Sequence, residues 1–178
     1  ISFKHLSQLS DDVGVFEHAE LTEPRPEHGY CVDDVARALV VTTREPDPSP
    51  DILALSRVYL TFVADAQIRN GRFHNRRSAD GGWTDQPGIG DWWGRALWGL
   101  GTAAARSPLY PAEALRLFEA SADFRAPWSR ALAFAALGAA EVLTVHTEHR
   151  SARALLENAA RFISAPPISP EWPWPEPR

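Results

Sequence analysis

Three aspartates lie where helices are predicted to begin, and side chains of this type at this spacing can act on a glycosidic bond. Asp33 and Asp34 occur in Tyr-Cys-Val-Asp-Asp-Val-Ala-Arg, and Asp91 occurs in Gly-Asp-Trp-Trp-Gly-Arg. Asp33 and Asp91 each precede the arginine of an Arg-Ala-Leu tripeptide by four residues. Packed helices lie about 8–10 Å apart, so one carboxylate from each would leave room for a water molecule. An inverting glycoside hydrolase needs this arrangement, with one carboxyl group as acid and the other as base.

The same aspartates have a structural alternative. Unpaired N–H groups at the start of a helix favour carboxylates, and aspartate is a common N-cap residue. Each residue alone can therefore be a cap with no further role. Asp33 and Asp34 stand in tandem, however, and only one of two adjacent residues can cap the helix. We therefore take Asp33, Asp34 and Asp91 as the candidate catalytic residues.

Polar and aromatic side chains around the aspartates predict a carbohydrate ligand. Indole rings stack on the C–H faces of sugars, while amides, imidazoles and guanidinium groups hydrogen-bond to hydroxyl groups. Trp128 belongs to the same aromatic set. The alternative is that tryptophans form the core, which we expect of Trp98 and of at least half of the others. The predicted substrate contacts are His28, Tyr30, Arg37, His74, Asn75, Trp83, Trp92 and Trp93.

Helices must position these side chains, because apolar residues recur at three- and four-residue steps along most of the chain. The clearest case is the segment 49–70, in which Ser49 is a predicted N-cap, Pro50 occupies the first helical position and Gly71 follows the end. No segment alternates apolar and polar residues over a sustained length, so we predict an all-α fold without a sheet. The other predicted helices span 2–9, 32–43, 92–105, 111–122, 128–145 and 151–163.

The predicted helices form two alternating kinds. Those that begin at 32, 92 and 128 are rich in small residues and carry Arg-Ala-Leu at Arg37, Arg95 and Arg130, whereas those at 50, 111 and 151 have narrower apolar stripes. Small residues allow close packing, so this alternation predicts three helical hairpins with an inner and an outer layer. Six such hairpins would need about 280 residues to close an α/α toroid, so residues 1–178 are expected to be one domain that forms the N-terminal half. The missing half or a partner chain would then cover an open flank.

Two long loops, 11–29 and 72–90, connect the predicted helices. Loops of this length in a compact domain are often functional, and the alternative is a mobile surface loop. The second loop leads directly to Asp91, and the first leads to Asp33. Both loops are therefore expected to border the candidate site.

Three segments together resemble a bacterial domain of the six-hairpin glycosidase type. They are His-Gly-Tyr-Cys-Val-Asp-Asp-Val-Ala-Arg-Ala-Leu at 28–39, Gly-Arg-Phe-His-Asn at 71–75 and Gly-Arg-Ala-Leu-Trp-Gly-Leu-Gly at 94–101. Some such domains occur beside glycosyltransferase modules. The resemblance implies a six-hairpin toroid and a carbohydrate role, and it implies that the ending with Trp172 and Trp174 continues into a second half. Val35 stands where that pattern has asparagine, and 77–90 differs from it, which weakens the case for Asp91.

Composition excludes several other classes. The net charge of −5 and the scattered arginines argue against a nucleic-acid partner. No apolar run reaches the roughly 20 residues of a membrane span. The lone Cys31 excludes a disulfide framework or a cysteine-rich zinc site, and His146 and His149 lack a nearby third ligand, so we predict neither metal nor cofactor. No signal peptide is visible, so the protein is expected to be cytoplasmic.

Two further functions stay open on the sequence. One is a non-catalytic carbohydrate-binding or scaffolding domain attached to a glycosyltransferase. The other is a toroid like the terpenoid cyclases, because Gly81-Gly82-Trp83 resembles their turns and 31–34 partly resembles their acidic motif. Cys31 replaces the first aspartate of that motif, and the glutamine that accompanies such turns is absent. We therefore favour the hypothesis that the protein is a carbohydrate-active domain.

Overall fold

The computed structural model describes residues 2–163, and it is built from α-helices, as predicted. Trp172 and Trp174 lie outside the described residues. Within the described range no helix combines the length and the apolar character needed to cross a membrane. The helices are α1 (Lys4–Gln8), α2 (Val32–Thr43), α3 (Pro50–Ala66), α4 (Asp91–Arg106), α5 (Pro111–Glu119), α6 (Ser129–Val145) and α7 (Arg150–Ile163).

Helix α3 begins as predicted but ends four residues early. The Ser49 hydroxyl accepts a hydrogen bond from the Ile52 N–H at 3.4 Å, and Pro50 is the first helical residue. The Gln67 backbone is extended, and its side-chain amide donates to Leu117 O and Ser121 Oγ, both at 2.8 Å. Because these bonds tie Gln67 to the end of α5, the chain leaves α3 before Gly71.

The helices pack in two layers. Helices α2, α4 and α6 contact one another in that order, while α3 packs on α2, α5 on α4 and α7 on α6. Each inner helix therefore forms a hairpin with the helix that follows it. The inner helices are the three predicted to be rich in small residues.

Backbone contacts explain why the inner helices need small residues. A Cβ atom at Gly101 would lie 2.2 Å from Gly138 O, and one at Gly138 would lie 2.1 Å from Leu97 O. A Cβ at Gly94 would likewise lie 2.2 Å from Ala131 O. Helices α4 and α6 thus touch through their backbones near their starts and again about two turns later, and a side chain larger than hydrogen does not fit there.

Four short strands lie within the long loops or directly after the first one, and the sequence pattern does not reveal them. Strands β1 (Ala19–Glu20) and β2 (Glu23–Pro24) pair antiparallel, as do β3 (Tyr30–Cys31) and β4 (Arg76–Arg77). Two-residue strands are too short to show alternation, so the prediction of no sheet misses them. The β3–β4 pair joins the first long loop to the second directly before α2 begins.

Candidate functional site

A cavity of about 460 Å³ opens beside the N-terminal ends of α2 and α4 and the start of α6. It brings together two of the three predicted catalytic aspartates and two of the predicted substrate contacts. The loop before α2 and the loop before α4 therefore border one site. Its lining residues are Asp33, Asn75, Gly90, Asp91, Trp92, Trp128 and Arg130.

Each aspartate in the cavity is ion-paired with an arginine of the next inner helix. Arg95 Nη1 lies 2.6 Å from Asp33 Oδ1, and Arg130 Nε lies 2.5 Å from Asp91 Oδ2. The Arg130–Asp91 contact is a hydrogen bond, whereas Asp33 Oδ1 receives no hydrogen bond in spite of its contact with Arg95. In the part of the chain that the structure describes, no hydrogen bond reaches the second oxygen of either carboxylate, Asp33 Oδ2 or Asp91 Oδ1. These two oxygens are acceptors suited to hydroxyl groups, since a charged acceptor makes a strong hydrogen bond.

The indole of Trp92 is fixed in place from two sides. Its Nε1–H donates to Phe73 O at 2.8 Å. Its six-membered ring lies against Gly90, where a Cβ atom would be 2.3 Å from Cζ3, and also against Gly88, where the nearest ring atom would be 3.0 Å away. Trp128, by contrast, directly precedes α6 and is 47% exposed. The cavity therefore has one rigid indole and one that is open to solvent.

Asn75 links the second long loop to the start of α2. Its carbonyl accepts the Val32 N–H at 2.8 Å, and its side-chain Oδ1 accepts the Asp33 N–H at 3.4 Å. The Asp85 carboxylate in turn accepts the N–H groups of Asn75 and Arg76, at 2.7 and 3.0 Å. Asn75 thus satisfies N–H groups at a helix start that has no side-chain cap of its own.

Sequence reasoning missed three of the residues that organise this site. Arg95 and Arg130 were visible only as members of the Arg-Ala-Leu repeat, whose spacing does not show which aspartate each one meets. The sequence pattern does not indicate the role of Asp85, because a single acidic residue in a loop can have many structural roles. The geometry of the packed helices and of the folded loop identifies all three.

Asp34 and Arg37 lie away from this cavity. They line a different one of about 500 Å³, together with Phe16 and Val41, and they pair with each other. The Cys31 thiol donates to Asp34 Oδ2 at 3.1 Å, and burial raises the pKa of Cys31, so the thiol stays protonated. Successive helical residues are about 100° apart, which places Asp34 on another side of α2 from Asp33. We therefore leave Asp34 and Arg37 out of the candidate site.

The other predicted contacts also lie outside the 460 Å³ cavity. Tyr30 is buried, and its hydroxyl donates to Asp11 Oδ2 at 2.6 Å. Trp93 is fully buried in the core, so it has no face for a ligand. His28 is exposed beside His18, with 4.5 Å between the ring centroids. These placements remove Tyr30, Trp93 and His28 from the set that can meet a ligand in this cavity.

His74 and Trp83 form part of the second long loop. Their rings stack at 5.3 Å, and Trp83 meets the buried Phe62 edge-on at 5.4 Å. His74 Nδ1 also lies 2.9 Å from Asp85 O. Both residues therefore stabilise the loop that carries Asn75, instead of lining the cavity themselves.

The chemistry available at the cavity is hydrogen bonding and stacking. It offers carboxylate and amide acceptors, the guanidinium group of Arg130 and two indoles. Among residues 2–163, no group of three histidine, cysteine, aspartate or glutamate side chains is placed to hold a metal ion. No protein-family model matches the chain, and no curated protein matches it.

Proposed function

We propose that this chain is part of a carbohydrate-active α/α domain of the toroid type, and that the 460 Å³ cavity binds a saccharide. One observation carries the proposal: Asp33, Asp91, Trp92 and Trp128 come from the starts of three helices and meet in one cavity. Saccharide sites combine flat aromatic faces with fixed polar groups that recognise hydroxyls. The cavity has both.

The toroid part of the proposal is supported by the order of the helices. In an α/α toroid, inner helices follow one another around a centre, and each outer helix packs behind its own inner helix. Helices α2, α4 and α6 follow one another in this way, and α3, α5 and α7 pack behind them. The cavity at the starts of the inner helices is where the rim of a toroid would hold a ligand.

A second function, hydrolysis of a glycosidic bond, is favoured by the two carboxylates. Asp33 and Asp91 occupy equivalent positions on neighbouring helices and line the same cavity. Each aspartate also pairs with an arginine, and a carboxylate in an ion pair accepts hydrogen bonds. The acid catalyst of a hydrolase must instead donate a proton, so the ion pairs count against that role. Saccharide binding is therefore the stronger proposal, and hydrolysis is the second.

Binding and turnover measured on the same oligosaccharide panel test both functions. We expect isothermal titration to detect binding, and Asp33→Asn to weaken it while Asp34→Asn, the adjacent residue in another cavity, leaves it unchanged. Trp128→Ala should also weaken binding. Phe162→Ala is its matched control, because both side chains are 47% exposed and Phe162 lies on α7. Binding without product release would exclude hydrolysis, and equal effects of the two aspartate variants would contradict the proposed site.

A further inference from the structure

The charges around the cavity balance among the described residues. Two carboxylates, Asp33 and Asp91, meet two guanidinium groups, Arg95 and Arg130, at 2.6 and 2.5 Å. Arg130 lines the cavity, whereas Arg95 lies outside the lining and reaches the site only through its pair with Asp33. The remaining lining residues, Asn75, Gly90, Trp92 and Trp128, are uncharged. Counted together with Arg95, the described residues of the site therefore carry no net charge.

We infer that the cavity selects an uncharged saccharide over uronic acids and amino sugars. This inference rests on the proposed saccharide binding and names the substrate class of that site. Hydroxyl groups both donate and accept hydrogen bonds, so they match a site that holds carboxylate oxygens, a guanidinium group and an amide side by side. No charge on the ligand is needed to satisfy any of these groups.

A negatively charged sugar is disfavoured because its carboxylate would meet the carboxylates of the site. Asp33 and Asp91 each keep one oxygen that no described residue bonds, whereas Arg95 and Arg130 are already paired. A uronate would therefore displace a carboxylate from its arginine or lie next to a like charge. Either outcome weakens binding relative to the neutral sugar.

A positively charged sugar is disfavoured for a different reason. The ammonium group would have to leave water, and charges that leave water need a partner that compensates them. Asp33 and Asp91 are already compensated by guanidinium groups, so an added ammonium group gains little attraction and lies near two positive charges. The side chains of Asp33 and Asp91 are both 22% exposed, so these interactions are partly sheltered from solvent screening.

An array of glucose-, galactose- and mannose-based oligosaccharides, each printed in neutral, uronate and 2-amino forms, tests the inference on the full chain. We expect the neutral form of at least one series to bind about tenfold more tightly than its two charged forms. Tighter binding of a uronate or amino form would overturn the inference and leave saccharide binding intact. Absence of binding across every series would overturn the proposed function, and this inference with it.

A charge-changing variant provides the second test. Arg130→Gln leaves Asp91 without its guanidinium partner, so the cavity gains one negative charge. The amino form of the bound series should then improve about tenfold relative to the neutral form, and its binding should become salt-dependent. Arg37→Gln is the matched control, because Arg37 occupies the same place in the Arg-Ala-Leu repeat but pairs with Asp34 in another cavity. Unchanged selectivity in Arg130→Gln would overturn the inference.

Discussion

Arg95 of α4 lies across the helix interface from Asp33 of α2, with 2.6 Å between Nη1 and Oδ1. The same relationship recurs one hairpin later between Arg130 and Asp91. Each arginine belongs to an Arg-Ala-Leu tripeptide, and each aspartate lies four residues before the arginine of its own helix. The arginines of the second and third Arg-Ala-Leu tripeptides therefore join successive inner helices, and the same pairs hold the carboxylates of the cavity.

Arg95→Gln should destabilise the protein because it leaves Asp33 partly buried without a countercharge. The side chains of Arg95 and Asp33 are 18% and 22% exposed. The loss should be smaller than for a fully buried pair, so we expect about 1–3 kcal/mol of unfolding free energy. Urea denaturation at neutral pH measures it.

Arg130→Gln is the control for that prediction. The Arg130 side chain is 56% exposed, so its removal should cost less than about 1 kcal/mol. A double-mutant cycle with Asp33→Asn and Arg95→Gln isolates the coupling of the more buried pair. A coupling energy near zero would contradict the structural role that we assign to it.

Gly138→Ala should disrupt the contact between α4 and α6. The added Cβ would lie 2.1 Å from Leu97 O and 2.6 Å from Leu97 C, and these backbone atoms cannot rotate away. Overpacking typically costs about 1–3 kcal/mol and more where backbone must shift, so we expect at least the upper part of that range. Thermal unfolding followed by circular dichroism measures the effect.

Gly82→Ala is the matched control for the glycine prediction. The nearest atom to a Cβ there is Ser78 Oγ at 3.5 Å, which is an ordinary contact. Its effect should stay within about 0.5 kcal/mol. Equal effects of Gly138→Ala and Gly82→Ala would show that α4 and α6 do not approach as closely as described.

The helices were predictable because their signals are local. Each signal involves residues that are close together in the sequence. They are the three- and four-residue period, the Ser49–Pro50 start of α3 and the small residues of α2, α4 and α6. The early end of α3 was not predictable in this way. It depends on hydrogen bonds from Gln67 to Leu117 and Ser121, about fifty residues further along the chain.

The candidate site was predictable only in part, for a similar reason. The shared position of Asp33 and Asp91 in the repeat indicated that they belong together, and the cavity contains both. The sequence did not separate Asp33 from Asp34, because that distinction depends on which side of α2 meets α4. It also could not distinguish the buried Trp93 from its neighbour Trp92, since adjacent residues on a helix point in different directions.

The loss of stability in acid should depend in part on Glu141, a buried residue that binds two arginines. Burial works against its charged form, but hydrogen bonds from Arg106 and Arg44 outweigh burial and hold the pKa of Glu141 below the ordinary value of 4.5. A carboxyl group whose pKa is lower in the folded protein than in the unfolded chain stabilises the fold. This stabilisation is complete above the pKa of the unfolded chain, and it is lost as the pH falls through the pKa of the folded protein. Wild type should therefore lose this contribution as the pH falls below about 4.5.

Glu141→Gln tests that dependence on pH. The variant should be less stable than wild type at neutral pH, and the difference should narrow as the pH falls below about 4.5. Glu148→Gln is the control, because the Glu148 side chain is 92% exposed, and it should follow wild type throughout. A difference that stays constant with pH would contradict the assigned role of the two arginines.

Gly90→Ala should weaken saccharide binding by moving an indole instead of removing one. The Gly90 backbone is extended, with φ −73° and ψ −159°, so alanine can adopt it. Its Cβ would nevertheless lie 2.3 Å from Trp92 Cζ3, and the Trp92 Nε1–H bond to Phe73 O resists rotation of the ring. We expect a shift in tryptophan fluorescence emission and about three- to tenfold weaker binding of the neutral saccharide, which is the range for one aromatic contact. Gly82→Ala should change neither quantity, and an unaltered affinity in Gly90→Ala would remove Trp92 from the site.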